Sequence, residues 1–235
     1  MILAINTSSV AFSMALMSES GIVAAEYFMS SGPPNFKSLM PALHDFFVSS
    51  KTDMGDIRAL TVAKGPGSFT GLRVGISVAK GICRGLGIPI IGVSTLEALV
   101  GQLAYSSYPL CPVISSRKGE VFTALFRHSA DGNAVRVKED TCLMSVELPS
   151  FVEEKTIILG NDFERQASTI KTILGEKALI APAAFWHLGA SSLGTVGLKR
   201  LALCEFDDLQ ELVPTYLRPP DIRPHPSSQR VEDKV

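Results

Sequence analysis

One pattern occurs twice in this chain, and that repetition restricts its fold more than any other feature. The chain opens with an apolar run ending in amide and hydroxyl side chains, Leu3-Ala4-Ile5-Asn6-Thr7-Ser8, and two more strand-like segments follow at 11–18 and 22–29, joined by a turn at Gly21. A nearly continuous apolar opening suits a strand covered on both faces. At Cys111 the pattern restarts with Pro112-Val113-Ile114-Ser115-Ser116-Arg117, continues with strand-like residues 120–127, turns at Asp131-Gly132 and resumes at 134–138. Aligning the two openings brings Gly21 and Gly132 within a residue or two of register. A duplicated three-strand meander, each copy followed by helices and further strands, predicts an internally repeated α/β protein. Two unrelated hairpins are the alternative.

Periodicity fills in the rest. After the breaker Gly32-Pro33-Pro34, apolar positions Phe36, Leu39, Met40, Leu43, Phe46 and Phe47 predict a helix over 36–50. A strand at 58–63, a glycine-rich connection at 65–71, a helix at 71–86 and a strand at 88–93 follow, then a helix capped by Ser94 or Thr95 with Glu97 in its first turn. The second half predicts a helix over 146–153, a strand at 156–159, a helix over 163–173 and a longer one over 185–203 that several glycines weaken. The expected division is a first lobe at 1–105, a second at 106–217 and a tail at 218–235. The tail, rich in proline, serine and charge, offers too little apolar surface to order itself.

Composition removes several function classes. With 46% hydrophobic residues the chain can bury a core, and its 22 basic against 23 acidic residues give no excess of positive charge for gripping nucleic acid alone. Cys83, Cys111, Cys142 and Cys204 are far apart with no CxxC pair, which reads as reduced thiols of a cytoplasmic protein. No uninterrupted apolar run approaches the ~18 residues of a membrane span, and the N-terminus lacks the basic region of a signal peptide.

The strongest local signal is Gly65-Pro66-Gly67-Ser68-Phe69-Thr70-Gly71-Leu72-Arg73, between a predicted strand and a predicted helix. Such a loop can offer backbone N–H groups and a helix N-terminus to an anion, so Gly67, Ser68, Thr70 and Gly71 are candidates for a phosphate or nucleotide loop. Its GxGxxxG spacing fails the dinucleotide fingerprint, and the Lys-Ser/Thr ending of a Walker loop is absent; a structural turn and cap is the competing reading. The next helix has a polar stripe of Arg73, Ser77, Lys80 and Arg84 and an apolar arc wider than one core contact needs. Gly71, Gly75 and Ala79 recur every four residues, as for close approach of another helix. Residues Leu39, Leu43, Phe46, Phe47, Val74, Gly75, Val78, Ala79 and Ile82 are therefore candidates for a partner interface, against the alternative that both helices lie inside one core.

The strings GPGSFTGLRVG, PIIGVSTLEAL and ILAINTS, with VISSRKGEVFTALF and PTYLR later on, resemble the TsaB (YeaZ) family of the actin, sugar-kinase and heat-shock-ATPase (ASKHA) superfamily over nearly the whole chain. The resemblance implies an actin-like (ribonuclease H-like) fold of duplicated lobes, each a mixed sheet with helices. It also implies a non-catalytic subunit that pairs through its first two helices with a TsaD-like catalytic homologue, engages a TsaE-like ATPase and meets tRNA indirectly in making threonylcarbamoyladenosine. Alone, the chain is expected to form a homodimer through the same helices. It would need no cofactor of its own, with ATP or ADP confined to a shared interface of the complex.

Three departures from the family pattern bear on chemistry. Asn6 and Ser115 stand where relatives usually carry acidic residues, and a hard cation needs anionic oxygen ligands. The family's HSQRLLP is here Asn35-Phe36-Lys37-Ser38-Leu39-Met40-Pro41, without the histidine. His44, His128, His187 and His225 have no histidine at i+3 or i+4, so a helical metal site is not expected. Ser68 sits in no GxSxG elbow, which disfavours a glycoprotease-like peptidase. The remaining alternative is a stand-alone ATPase or small-molecule kinase of the same superfamily.

Overall fold

The computed structural model describes residues 1–9, 12–29, 36–117 and 119–218. Its ten strands form two five-stranded sheets with the same internal order. The first comprises β1 (Ile2–Asn6), β2 (Phe12–Met17), β3 (Val23–Met29), β4 (Ala59–Gly65) and β5 (Ile90–Ser94), ordered β3-β2-β1-β4-β5. The second comprises β6 (Leu110–Ser115), β7 (Glu120–His128), β8 (Ala134–Met144), β9 (Thr156–Gly160) and β10 (Ala178–Ile180), ordered β8-β7-β6-β9-β10. In each sheet the first three strands pair antiparallel and the last two are parallel to the first. The duplicated arrangement expected from the repeated opening is thus present strand for strand. Its second copy includes β10, which three residues of weak pattern did not announce.

Helices α1 (Leu39–Ser50) and α2 (Phe69–Leu86) lie on one face of the first sheet, packed on Leu3, Ile5, Met14, Leu16, Leu60 and Val62. The opposite face of β1 and β2, Ile2, Ala4, Ala15 and Met17, receives α6 (Ala190–Ala202). The glycines that weakened this helix in the sequence are what seat it: a Cβ on Gly194 would lie 2.3 Å from the Met17 sulfur, and one on Gly197 2.0 Å from Thr61 Oγ1. Helix α3 (Thr95–Val100) joins α6 in the layer between the sheets, with Ser94 as its N-cap. Helices α4 (Leu148–Phe151) and α5 (Phe163–Leu174) cover the outer face of the second sheet.

Several boundaries differ from the sequence reading. The helix expected over 36–50 begins as a 3-10 turn at Phe36–Ser38, and the one expected over 146–153 shrinks to a 3-10 turn and the four residues of α4. The helix expected from 185 starts at Ala190, because Pro182 and the 3-10 turn Ala183–Phe185 steer the chain first. Strand β8 extends to Met144, six residues beyond expectation. Residues beyond the expected division at 105/106 also contact the first sheet. Helix α6 packs on the first sheet, Asp207 accepts a bond from Gly92 N–H (2.8 Å), Leu212 is buried in the first core against Gly92 of β5, and Thr215 N–H donates to Lys64 O (2.7 Å). The end of the chain therefore completes the core that the beginning started. Of the expected tail only Arg218 is among the described residues.

Candidate functional site

A cleft of about 600 Å³ opens between the two repeats, at the ends of β1 and β6. Ser8, Gly67, Ser68 and Thr95 line it from the first repeat; Ser115, Asn161, Asp162 and Arg165 line it from the second. Phe28 and His187, their rings 5.5 Å apart, close one side. Repeat symmetry predicts a cleft here, but Phe28, Asn161, Asp162, Arg165 and His187 carry no local signal and were missed by sequence reasoning.

The two repeat-related polar positions are already spent. Asn6 is buried; its Nδ2 donates to Leu188 O (2.8 Å), and its Oδ1 accepts from Ser8 N–H (3.0 Å) and Ser8 Oγ (2.7 Å). At Ser115 the backbone N–H donates to Asn161 Oδ1 (3.3 Å), and Oγ accepts from Gln166 Nε2 (2.9 Å). Asp162 is the one carboxylate among the described residues lining the cleft. Its Oδ1 caps α5 by accepting from Arg165 N–H (3.2 Å), and its Oδ2 lies 3.6 Å from Arg165 Nε. Among the described residues no three His, Cys, Asp or Glu come together as metal ligands. The cleft mixes hydroxyl side chains with apolar Phe28, Leu99, Ile114 and Leu188, and among the described residues it presents no cluster of anionic oxygens for a hard cation.

The glycine-rich connection adopts a compact turn against the first repeat's opening. Ser68 N–H donates to Ser8 O (2.7 Å), and Ser68 Oγ caps α2 by accepting from Gly71 N–H (3.2 Å). Two of the N–H groups that a phosphate would use are therefore committed inside the chain. Gly75 has the same service: a Cβ there would sit 2.1 Å from Thr7 Oγ1, so its lack of a side chain lets α2 lie on β1. Gly67 and Ser68 line the cleft, whereas Gly71 is buried in the helix and Thr70 points to the exposed surface.

The interface candidates divide sharply. Leu39, Leu43, Phe46 and Phe47 of α1, and Gly75 and Ala79 of α2, are buried in the chain's own core, with Leu43 only 2% exposed. The expected stripe Gly71, Gly75, Ala79 faces inward, and the outward residues of the first helix differ from those its apolar rhythm suggested. Val74, Val78 and Ile82 are half-buried, packed on the core at their edges. The outward residues of α1 are Met40 (53% exposed), His44 and Val48 (64% exposed), which border a groove of about 560 Å³ reaching to Met54. On α2 the outward line is Val74, Ser77, Val78, Gly81 and Gly85; both glycines are exposed, and a Cβ on either would meet nothing within 4 Å. An exposed helix interior gains nothing from glycine, which costs about 1 kcal/mol relative to alanine.

Among the described residues no helix is long and apolar enough to cross a membrane. Residues 36–221 match the family model described as TsaD, tRNA N6-adenosine threonylcarbamoyltransferase. The chain is 33% identical over 220 residues to the tRNA threonylcarbamoyladenosine biosynthesis protein TsaB of Bacillus subtilis strain 168, covering 92% of this chain and 93% of that one. It is 35% identical over 165 residues to the TsaB protein of Escherichia coli K12, covering 69% and 68%. A crystal structure of a protein from Pseudomonas aeruginosa, described as similar to the peptidase YeaZ, superposes with a TM-score of 0.76 over 92% of this chain and 99% of that one. Its sequence identity of 21% speaks to the fold alone.

Proposed function

Because the chain belongs to the TsaB family, we propose that it takes part in making threonylcarbamoyladenosine on tRNA as a non-catalytic subunit, docking on a TsaD-type catalytic relative through the outer faces of α1 and α2. The observation that carries this reading is the outward line of α2. Gly81 and Gly85 stand in open space between the half-buried Val74, Val78 and Ile82, a surface that weakens the free helix and suits close packing of another helix backbone. Exposed Met40 and Val48 extend the apolar area onto α1. In the absence of the partner the same surface would pair with a second copy of the chain. Contact with a TsaE-type ATPase, and with tRNA or nucleotide, would arise in the assembled complex.

A stand-alone ATPase or kinase is the second reading, favoured by the cleft between the repeats. Against it stand the neutral, hydrogen-bonded Asn6 and Ser115 and the capping role of Asp162. Robust turnover of ATP with magnesium by the isolated chain would decide for the enzyme.

The docking test uses Val78→Asp, at the half-buried edge of the core, and Met40→Asp, on the exposed face of α1. A charge placed in an apolar contact costs about 3 kcal/mol, roughly a hundredfold in affinity. Met40→Asp should melt near the wild type, Val78→Asp should stay folded with a lower melting point, and both should lose the TsaD-type partner. Full binding by both would refute the surface. Nucleoside mass spectrometry of tRNA after depletion of the protein should show loss of threonylcarbamoyladenosine, restored by the wild type but not by Val78→Asp.

A further inference from the structure

We propose that Arg73, held by Phe69 and by Tyr216 of the C-terminal segment, is a preformed site for a carboxylate side chain of the docking partner. This rests on the reading that α2 docks a partner. Arg73 lies one turn into α2, beside the outward line, and its guanidinium carbon sits 3.8 Å from the centre of the Phe69 ring and 5.7 Å from that of Tyr216. The two rings are 5.0 Å apart, and Arg73 Nε donates to Tyr216 Oη at 2.8 Å. Tyr216 is itself anchored, since Thr215 N–H donates to Lys64 O and Leu212 is buried in the first core.

The stack fixes a side chain that would otherwise lose much rotamer freedom on binding. Only Nε is used. The four N–H donors on Nη1 and Nη2 have no partner among the described residues, and a guanidinium end presents them as a fork matched to two carboxylate oxygens. A clip between helix and C-terminal segment needs only the Nε–Oη bond and the rings; the remaining donors and the charge are surplus to it.

Charge indicates the occupant. Helix α2 carries Arg73, Lys80 and Arg84 and no acidic residue. Lys80 is committed, donating to Gln210 O at 2.9 Å beside Asp208, whose carboxyl is held below the usual range chiefly by the N–H groups of Glu211 and Gln210. The uncommitted charge therefore lies at Arg73 and at Arg84 in the last turn. A phosphate backbone would call for several such cations in a row, and the chain's 22 basic against 23 acidic residues provide no such surplus.

The experiment measures affinity for the purified TsaD-type partner by calorimetry at low and moderate salt, for the wild type, Arg73→Ala, Arg73→Lys and Tyr216→Phe, with thermal melts of each free chain and a parallel titration with tRNA. Arg73→Ala should weaken binding about tenfold at low salt and remove most of its salt dependence. Arg73→Lys should keep salt dependence while recovering only part of the affinity, because the ammonium lacks the fork. Tyr216→Phe, which alters a positioning residue, should weaken binding severalfold with little change in melting. Unchanged affinity in Arg73→Ala and Tyr216→Phe, with the wild type binding normally, would reduce the stack to a clip and overturn the site. A loss confined to tRNA binding would replace the carboxylate with a phosphate and likewise overturn it. Absence of binding by the wild type would remove the docking reading, and the site with it.

Discussion

Replacing Asn6 with aspartate supplies the acidic residue that the family resemblance led us to expect there, yet here it should damage the fold. The Asn6 amide donates to Leu188 O while its carbonyl takes two bonds from Ser8, all in a buried setting. A carboxylate keeps the two acceptor bonds but turns an oxygen toward the Leu188 carbonyl. Losing the donor bond costs about 1 kcal/mol and leaving that buried carbonyl unpaired adds about 1–3, so Asn6→Asp should lose roughly 2–4 kcal/mol at neutral pH. At about 2–4 °C per kcal/mol for a chain of this size, melting should fall by roughly 5–15 °C. The sign of the pH dependence follows from the same contact. Burial and the facing carbonyl raise the new carboxyl above its unfolded value of about 3.9, and its protonated form can donate to Leu188 O. The variant's stability is thus fully present below that unfolded value and is lost as pH rises through the folded one, so its deficit against the wild type should be smaller at pH 5 than at pH 8. Calorimetric melts of both proteins at the two pH values read this directly. Equal melting at pH 8, or a deficit identical at both, would refute the assignment of Asn6 as a donor clamp.

Two glycines of the same helix should respond in opposite ways. Gly75→Ala drives a Cβ toward Thr7 Oγ1 and should cost about 1–3 kcal/mol, whereas Gly81→Ala meets open space and should raise stability by up to about 1 kcal/mol while weakening partner binding; melts and pull-downs read both. Burial pushes the Cys83 thiol up to about 12 and the Cys111 thiol to about 11, so at pH 8 a disulfide reagent should modify exposed Cys204 first and leave those two untouched until the chain unfolds. Because both thiols are raised, their contribution to stability is complete below about pH 8.5 and declines as pH climbs toward 11–12, which alkaline melts should record. Leu212→Ala should cost about 2–5 kcal/mol and speed hydrogen exchange across 207–216, as the segment that positions Tyr216 loosens.

The repeat was legible because strand order follows local pattern. Each opening strand is apolar up to a polar last residue and a glycine turn joins the next two strands, so duplication in the residues predicts duplication in the sheets. Helix α6 was legible only in part. Its glycines look like weaknesses along the chain, and only the sheet beneath them shows that Met17 and Thr61 occupy the space a side chain would take. The cleft residues from β9 onward were not legible, since Asn161, Asp162, Arg165 and His187 meet the first repeat through the fold alone.

The sequence by itself determined that this is a duplicated α/β chain, that its family is TsaB, and that neutral side chains stand at the two openings of the cleft. Those conclusions depend on residue identity and on short-range periodicity, which survive without coordinates. Only the tertiary structure decided which side of α1 and α2 faces outward. Both helices carry wide apolar arcs, so the wheel admits several orientations; packing against the first sheet chooses one, burying Leu43, Phe46, Gly75 and Ala79 and leaving Met40, Val48, Gly81 and Gly85 outside. It also decided that Asn6 is a clamp, because the carbonyl it reaches lies 182 residues further along the chain.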